Sequence, residues 1–327
     1  MIKIKECARY IRNICYIFPL NIYFNEKNEN DIVRVILYFL LLPIEIIWFI
    51  GFYLSGKQLN KETEFKYNLA VACIVKNEAK YLDEWIKYHN KVCGVDHFFM
   101  YNNNSTDNTV EVLNKYIQAG LVTLVDFPGS KRQVDAYNMT ILKYRKDVKY
   151  LIVIDADEFI QISDDVDESL YTIINKIFQD DKVSTLGINW CMFGSSHIEK
   201  YEPKPVIERF LYAGQRDNKS NYYIKSIINP RLSIGFYRAH VCRPFPGYKV
   251  IDCLGNKLES SFTKEVIHSP IRLNHYFTKS KEEFDLKRGR GMADQKGLRE
   301  QKNFEMYDMN DVYDDSMIKY VKYVGKN

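Results

Sequence analysis

The run Tyr150-Leu-Ile-Val-Ile-Asp155-Ala-Asp157-Glu158-Phe159 limits the folds open to this chain more than any other segment. A short, uninterrupted apolar run reads as a strand buried on both faces, which requires packed layers on either side of a sheet. It ends abruptly in two carboxylates spaced i, i+2, with a third acid directly after. That ending marks the strand's carboxyl edge, where open α/β sheets bind ligands. Two Asp side chains this close raise one another's pKa unless a cation neutralises them. Hard oxygen ligands of this kind suit Mg²⁺ or Mn²⁺ holding a phosphate-bearing substrate. The plain alternative is a solvated acidic turn.

The sequence before this run repeats the same logic. Asn68-Leu-Ala-Val-Ala-Cys-Ile-Val75 reads as a buried strand, and Leu82, Trp85, Ile86 and His89 fall at i, i+3, i+4, i+7, the spacing of an amphipathic helix. Asp96–Tyr101 and Leu121–Val125 read as second and third strands. Ser105-Thr-Asp107-Asn108 offers helix N-caps before Val110, Leu113 and Ile117, and Val134, Tyr137, Ile141 and Tyr144 mark a third helix. Strands alternating with helices in this way predict an α/β fold, a Rossmann-like, mostly parallel sheet with flanking helices. Polar loops follow each strand: Lys76-Asn77-Glu78, Asn102 to Asp107, Pro128 to Gln133, and the D-x-D itself. Four such loops delivered to one edge build a cleft. No G-x-G-x-x-G follows the first strand, which argues against a dinucleotide enzyme. After Asp157 the alternation weakens and turn signals multiply from Gly194 to Gly247, so the acceptor is expected to bind in that half.

The chain has 327 residues, with 46 basic residues against 42 acidic ones. A net charge of +4 is not the footprint of a nucleic-acid binder. The seven cysteines are odd in number and scattered without a C-x-x-C pair, so they suggest neither a disulfide framework nor a zinc site. From Val35 to Tyr53 the only charge is Glu45, and the stretch approaches the roughly 20 residues that span a bilayer. It starts too late and is too long for a signal peptide. Pro43 and Glu45 suit a simple span poorly, because an ionisable group at mid-bilayer costs about 3 kcal/mol. The expectation is two halves bent at Pro43 that form a re-entrant or interfacial hairpin, with Tyr38, Trp48 and Tyr53 near the headgroups. A buried helical hairpin is the alternative. The expected partition is a membrane-associated helical segment over 1–64, a catalytic domain over 65–283 and a charged, helical extension over 284–327.

Several blocks carry a family resemblance. Val71-Ala-Cys-Ile-Val-Lys-Asn-Glu78, Leu82-Asp-Glu-Trp-Ile-Lys-Tyr-His89, Tyr101-Asn-Asn-Asn-Ser-Thr-Asp-Asn108 and Ile154-Asp-Ala-Asp-Glu-Phe159 resemble the signature blocks of the family 92 glycosyltransferases, relatives of family 2 with the GT-A fold. Asn189–Ser196, Lys225–Pro230, Ala239-His240 and Asn274–Phe284 extend the likeness over roughly Tyr67 to Gly291. The resemblance implies a metal-dependent, inverting transfer of a hexose from a nucleotide sugar, most simply a UDP-sugar, to a hydroxyl of a glycan or lipid-linked saccharide. Donor synthesis in a bacterial setting would put the catalytic domain on the cytoplasmic face of a membrane.

Carried over residue by residue, the likeness makes Lys76, Asn77 and Glu78 donor-site candidates beside the nucleoside. Family 2 ends its second strand Asp-Asp-Gly-Ser, with the second Asp accepting from uracil; Asn103 stands there in this chain, keeping an acceptor but losing the charge. Gln133 matches a polar position near the donor. Asp155 is expected at the ribose or the Mn²⁺ or Mg²⁺ ion, Asp157 on the ion, and His275 as a distal ligand; simple core packing is the alternative for His275. Lys225 and His240 are candidates for phosphate contacts, and Arg288 with Arg290 for a clamp on the diphosphate. Inverting transfer needs a base at the acceptor hydroxyl. His197, Glu199, Glu208 and Asp217 are the candidates, and nothing in the sequence ranks them. Two other readings remain: a catalytically silent carbohydrate-binding member of the fold, and a haloacid-dehalogenase-type phosphatase, whose motif wants Thr or Val where Phe159 stands.

Overall fold

The computed structural model describes residues 18–19, 31–289 and 299–325; Cys7, Cys15 and Arg290 lie outside them. A long helix, α1 (Asp31–Leu59), leads into β1 (Tyr67–Val75), α2 (Ala79–Lys91), β2 (His97–Asn102), α3 (Thr109–Gln118), β3 (Val122–Asp126), α4 (Gln133–Tyr144) and β4 (Val148–Val153). The second half runs through β5 (Glu158–Ile162), α5 (Leu170–Ile177), β6 (Val183–Met192), α6 (Val206–Arg209), β7 (Tyr212–Ala213), β8 (Ile224–Ile228), β9 (Ser233–Phe236), β10 (Cys242–Pro244), β11 (Lys249–Ile251) and β12 (Ile271–His275). Helices α7 (Lys281–Gly289) and α8 (Gln301–Tyr307), strand β13 (Val312–Tyr313) and helix α9 (Val321–Val324) follow.

Nine strands form one sheet in the order β3-β2-β1-β4-β8-β6-β12-β5, with β11 also beside β6. The first four pair in parallel, as the alternating pattern predicts. The expectation of a mostly parallel sheet is corrected beyond β4. There β8 runs antiparallel to both β4 and β6, and β5 runs antiparallel to β12, so the sheet is mixed. These antiparallel neighbours are joined by long excursions of the chain rather than by hairpins. The fold is α/β, a curled, mixed sheet flanked by helices, with one apolar helix at its N-terminal side.

The period-two rule explains why β1 is apolar throughout. Leu69, Val71, Cys73 and Val75 enter the core on one face, and Ala70, Ala72 and Ile74 enter the core on the other. In β4, Ile152 and Leu151 divide the same way. Strand β5 lies at the end of the order, and an edge strand needs its backbone groups covered. Helix α2 covers them with side chains. Trp85 Nε1 donates to Glu158 O at 2.8 Å and the Tyr88 hydroxyl to Ile160 O at 2.7 Å, while Ile160 N donates to His89 Nε2 at 3.3 Å. His89 is therefore a neutral core residue, its pKa driven down to about 3 by burial.

Helix α1 runs unbroken through Pro43, so the segment is one helix and not a hairpin of two halves. An apolar segment that satisfies its backbone internally has most to gain by staying helical. At 29 residues it is about 43 Å long. Phe49, Phe52 and Tyr53 pack around Phe245 with ring centroids 5.0–5.8 Å away, and the Arg145 guanidinium lies 3.8 Å over Phe52. The other side leaves Ile36, Phe39, Leu40, Ile44, Ile47, Ile50 and Leu54 exposed. Among the described residues Phe39–Leu59 is long and apolar enough to cross a membrane, by length and composition.

Candidate functional site

Strands β1, β2, β3, β4, β6 and β12 point the same way, so their C-terminal ends share one edge, and the antiparallel β5 and β8 begin there. All six non-glycine residues with left-handed backbone among the described residues lie in loops leaving this edge: Asn77, Asn104, Lys131, Ser196, His197 and Lys279. Such conformations cost free energy and collect at functional sites. The edge is thus marked by backbone as well as by polar side chains.

At its centre the turn from β4 to β5 presents Asp155 and Asp157. Asp155 extends the face of β4 that packs on α4. Its Oδ1 accepts from Gln133 Nε2 at 2.8 Å and from the Tyr137 hydroxyl at 3.0 Å, while Lys225 Nζ lies 2.8 Å from Oδ2. Lys225 reaches it because β8 pairs with β4 in the register Val153↔Ser226. Asp157 holds the Lys287 ammonium at 2.5 Å on Oδ2, and His275 Nε2 lies 3.5 Å from Oδ1. His275 arrives through register too, since it stands opposite Glu158 on β5 and Met192 on β6. Glu158 is fully buried between them. Its carboxylate accepts from Trp190 Nε1 and from Asp155 N, each at 2.7 Å, with Lys225 at 3.5 Å.

Three acids and two lysines therefore share one cluster, buried except for the half-buried Asp155, and their titration divides accordingly. Burial works to raise both aspartates. At Asp155 the Lys225 ammonium with His275 together outweigh it and the carboxyl falls below its usual range, and at Asp157 Lys287, His275 and Lys279 together outweigh it and the carboxyl lies well below. Burial wins at Glu158, pushing it up to about 7 against the pull of Lys225. Burial works to lower Lys225, but Asp155 and Glu158 together raise it above the ordinary lysine range.

The sequence-derived candidates divide into those this cluster gathers and those it does not. Asp155, Asp157, Gln133, Lys225 and His275 meet in it. His240 stands at its rim, Nδ1 3.1 Å from Ile224 O and its ring 5.2 Å from Trp190; burial lowers its pKa to about 4, so it is a neutral imidazole at pH 7. Asn77 stitches the first loop to the second, its Oδ1 accepting from Thr106 N at 2.7 Å and its N–H donating to Ser105 Oγ at 3.0 Å. Glu78 N donates to Thr109 Oγ1 at 2.9 Å, and Lys76 is half-buried beside them. Asn103 Nδ2 is spent on Phe127 O and Gly129 O at 2.9 and 2.8 Å, which fixes the amide with Oδ1 turned away as an acceptor. Arg288 does not join the cluster; it binds Arg299 O, Asp285 and Gln301.

Among the base candidates, the His197 ring packs against Tyr212, Glu199 O accepts from Glu282 N, Glu208 sits half-buried on α6 and Asp217 is exposed. Sequence reasoning missed Lys287, Trp190, Tyr137 and the buried role of Glu158. On α7, Lys287 shares the buried face with Glu283 and Phe284 at helical spacing, a burial that its basic run does not signal.

Carboxylate oxygens are the ligands that Mn²⁺ and Mg²⁺ prefer, and His275 Nε2 is the ring nitrogen on the Asp157 side; its Nδ1, without a hydrogen-bond partner among the described residues, lies 4.0 Å from Glu158 Oε1. The chemistry of the residues fits such an ion. Their arrangement is held by the lysines, and among the described residues no group of three or more His, Cys, Asp or Glu is already disposed around a metal position.

The family model for Glycosyltransferase family 92 matches residues 69–286. This chain belongs to glycosyltransferase family 92. A family 92 protein of Oryza sativa subsp. japonica is 29% identical over 168 residues, covering 50% of this chain and 27% of that protein. One from Ricinus communis is 37% identical over 95 residues, 29% of this chain and 16% of its own length. The chain thus spans about a quarter or less of these plant relatives. Among solved structures, S. aureus TarS 1–349 in complex with UDP overlaps with a TM-score of 0.34 at 14% identity, over 50% of this chain and 47% of that one.

Proposed function

We propose that this family 92 member transfers a hexose from a nucleoside diphosphate sugar, a UDP-hexose, to a hydroxyl of a glycan or lipid-linked saccharide, with inversion. The observation that carries this reading is the pair Asp155 and Asp157 at the shared strand edge, gathered with Lys225, Lys287 and His275. In this reading the sheet and its edge loops are a GT-A arrangement. Residues 65–283 form the transferase domain, 1–64 attach it to the cytoplasmic face of a membrane, and 284–327 brace it.

The departing nucleoside diphosphate develops negative charge, and groups that meet this charge lower the barrier. Asp157 and His275 would hold Mn²⁺ or Mg²⁺ with Asp155 beside them, and the bound ion supplies Lewis-acid stabilisation of the diphosphate. Gln133 and Tyr137 on one oxygen and Lys225 on the other keep Asp155 ionised and hold its carboxylate in one rotamer beside the donor site. Asn103 Oδ1 accepts from the base, its amide locked by two backbone carbonyls. Glu158, tied to Trp190 and to Asp155 N, fixes the turn that sets the spacing of both aspartates.

A donor screen tests the reading: nucleotide release is followed across nucleotide sugars with Mn²⁺, without and with saccharide acceptors. Consumption of a UDP-hexose is expected. A protein that binds saccharides yet consumes no donor is the silent carbohydrate-binding member instead.

A further inference from the structure

Lys287 is buried, and its ammonium lies 2.5 Å from Asp157 Oδ2, 2.8 Å from Phe277 O and 4.3 Å from the centre of the Phe277 ring. It therefore stands against the carboxylate that the proposed function gives to a divalent cation, and it satisfies that carboxylate when no ion is bound. Two cations cannot share one carboxylate oxygen at such distances without strong repulsion in a buried site. Helix α7 holds the lysine there firmly. Glu283, one turn earlier on the same face, is bound by Arg209 at 2.8 and 3.0 Å and by the Tyr81 hydroxyl at 2.9 Å. A four-carbon stem carrying a compact ammonium can nonetheless change partners without moving its helix.

Resting on the transferase reading, we infer that Lys287 is an exchangeable counter-ion. It neutralises Asp157 in the resting enzyme, yields that carboxylate to the divalent cation, and takes the arriving diphosphate as its new partner. The arrangement keeps the acidic turn folded without metal. It also makes metal and nucleotide binding depend on each other, because the ammonium displaced by one ligand is stabilised by the other. Coupling of this kind is reciprocal: UDP must tighten Mn²⁺ by the factor by which Mn²⁺ tightens UDP.

The test is calorimetric titration of the full chain with Mn²⁺ alone, UDP alone and each in the presence of the other. Wild type is expected to bind Mn²⁺ weakly alone and more tightly with UDP, by a factor of roughly 5–150. In Lys287→Met, Mn²⁺ alone should bind tighter, by a factor of roughly 5–150, UDP alone more weakly, and the coupling factor should shrink. Lys287→Arg, which keeps the charge, should leave Mn²⁺ alone as weak as in wild type. Lys279→Met removes a buried cation that acts on Asp157 only at longer range, so it controls for net charge. Equal effects of Lys279→Met and Lys287→Met, or unchanged Mn²⁺ affinity in a folded Lys287→Met, overturn the exchange. Absence of Mn²⁺ binding by wild type even with UDP overturns the metal-dependent reading itself.

Discussion

Arg209→Met breaks a buried, two-pronged ion pair that fastens α7, and with it Lys287, to the body of the fold. Arg209 Nη1 and Nη2 donate to the two Glu283 oxygens at 2.8 and 3.0 Å, and the two side chains are 2% and 1% exposed. Burial works to raise the Glu283 carboxyl. Its hydrogen bonds from Arg209 and Ser280 outweigh this and hold it at about 2 against a model-compound value of 4.5. That depression corresponds to about 3 kcal/mol, in line with the roughly 3–5 kcal/mol lost when one partner of a buried pair is removed. Thermal unfolding followed by circular dichroism should show Tm lowered by about 4–7 °C. The sign with pH follows from a depressed carboxyl: the stabilisation is complete above 4.5 and is lost as pH falls towards 2. Glu283→Gln should lack that acid-side loss. Arg209→Met/Glu283→Gln should recover part of the stability, because no buried charge is then stranded. A single variant melting within about 1 °C of wild type would refute the reasoning.

Three further outcomes are expected. His275→Ala should raise the Mn²⁺ concentration needed for half-maximal nucleotide release by about 10–100-fold, whereas a pure packing role would lower Tm and leave the metal dependence unaltered. Gly56→Ala should destabilise the chain, measured by its melting curve, because a Cβ there would collide with Arg145 Nη2 and the Arg231 carbonyl that close over α1. Removal of residues 1–47 should shift the protein from the membrane fraction to the soluble one while keeping the contacts of Phe49, Phe52 and Tyr53 with Phe245. Removal through residue 60 should uncover Phe245 and Ile234 and yield a less stable product; full-length chain recovered soluble without detergent would contradict membrane attachment.

The first half of the fold was legible because its signals are local. Leu82, Trp85, Ile86 and His89 are all buried on α2, and the four apolar runs pair in parallel as their continuous hydrophobicity demands. The second half was not, since β8, β6, β12 and β5 are ordered by pairings between residues far apart in sequence. Nothing near Asn274-His275 announces that β12 will pair with both β5 and β6. Lys287 shows the same limit in one residue. In a basic run it reads as a solvated helix face, and only the docking of α7 turns it inward. Arg288, its neighbour, reads as the stronger candidate and faces Asp285 and Gln301 instead. Glu158 was hidden for another reason. An acid directly after D-x-D looks like part of a polar turn, yet it begins a strand and is sealed by Trp190.

The most direct test of the central claim is nucleotide release from the UDP-hexose selected by the donor screen, measured for wild type and Asp157→Asn with Mn²⁺ and with excess chelator. Asparagine keeps the shape and removes the charge that would hold the cation. The account predicts that wild-type release stops in chelator and returns with Mn²⁺ or Mg²⁺, and that Asp157→Asn, still folded by circular dichroism, falls by about a hundredfold or more. Full wild-type release in chelator, or Asp157→Asn releasing nucleotide at the wild-type rate, would contradict it.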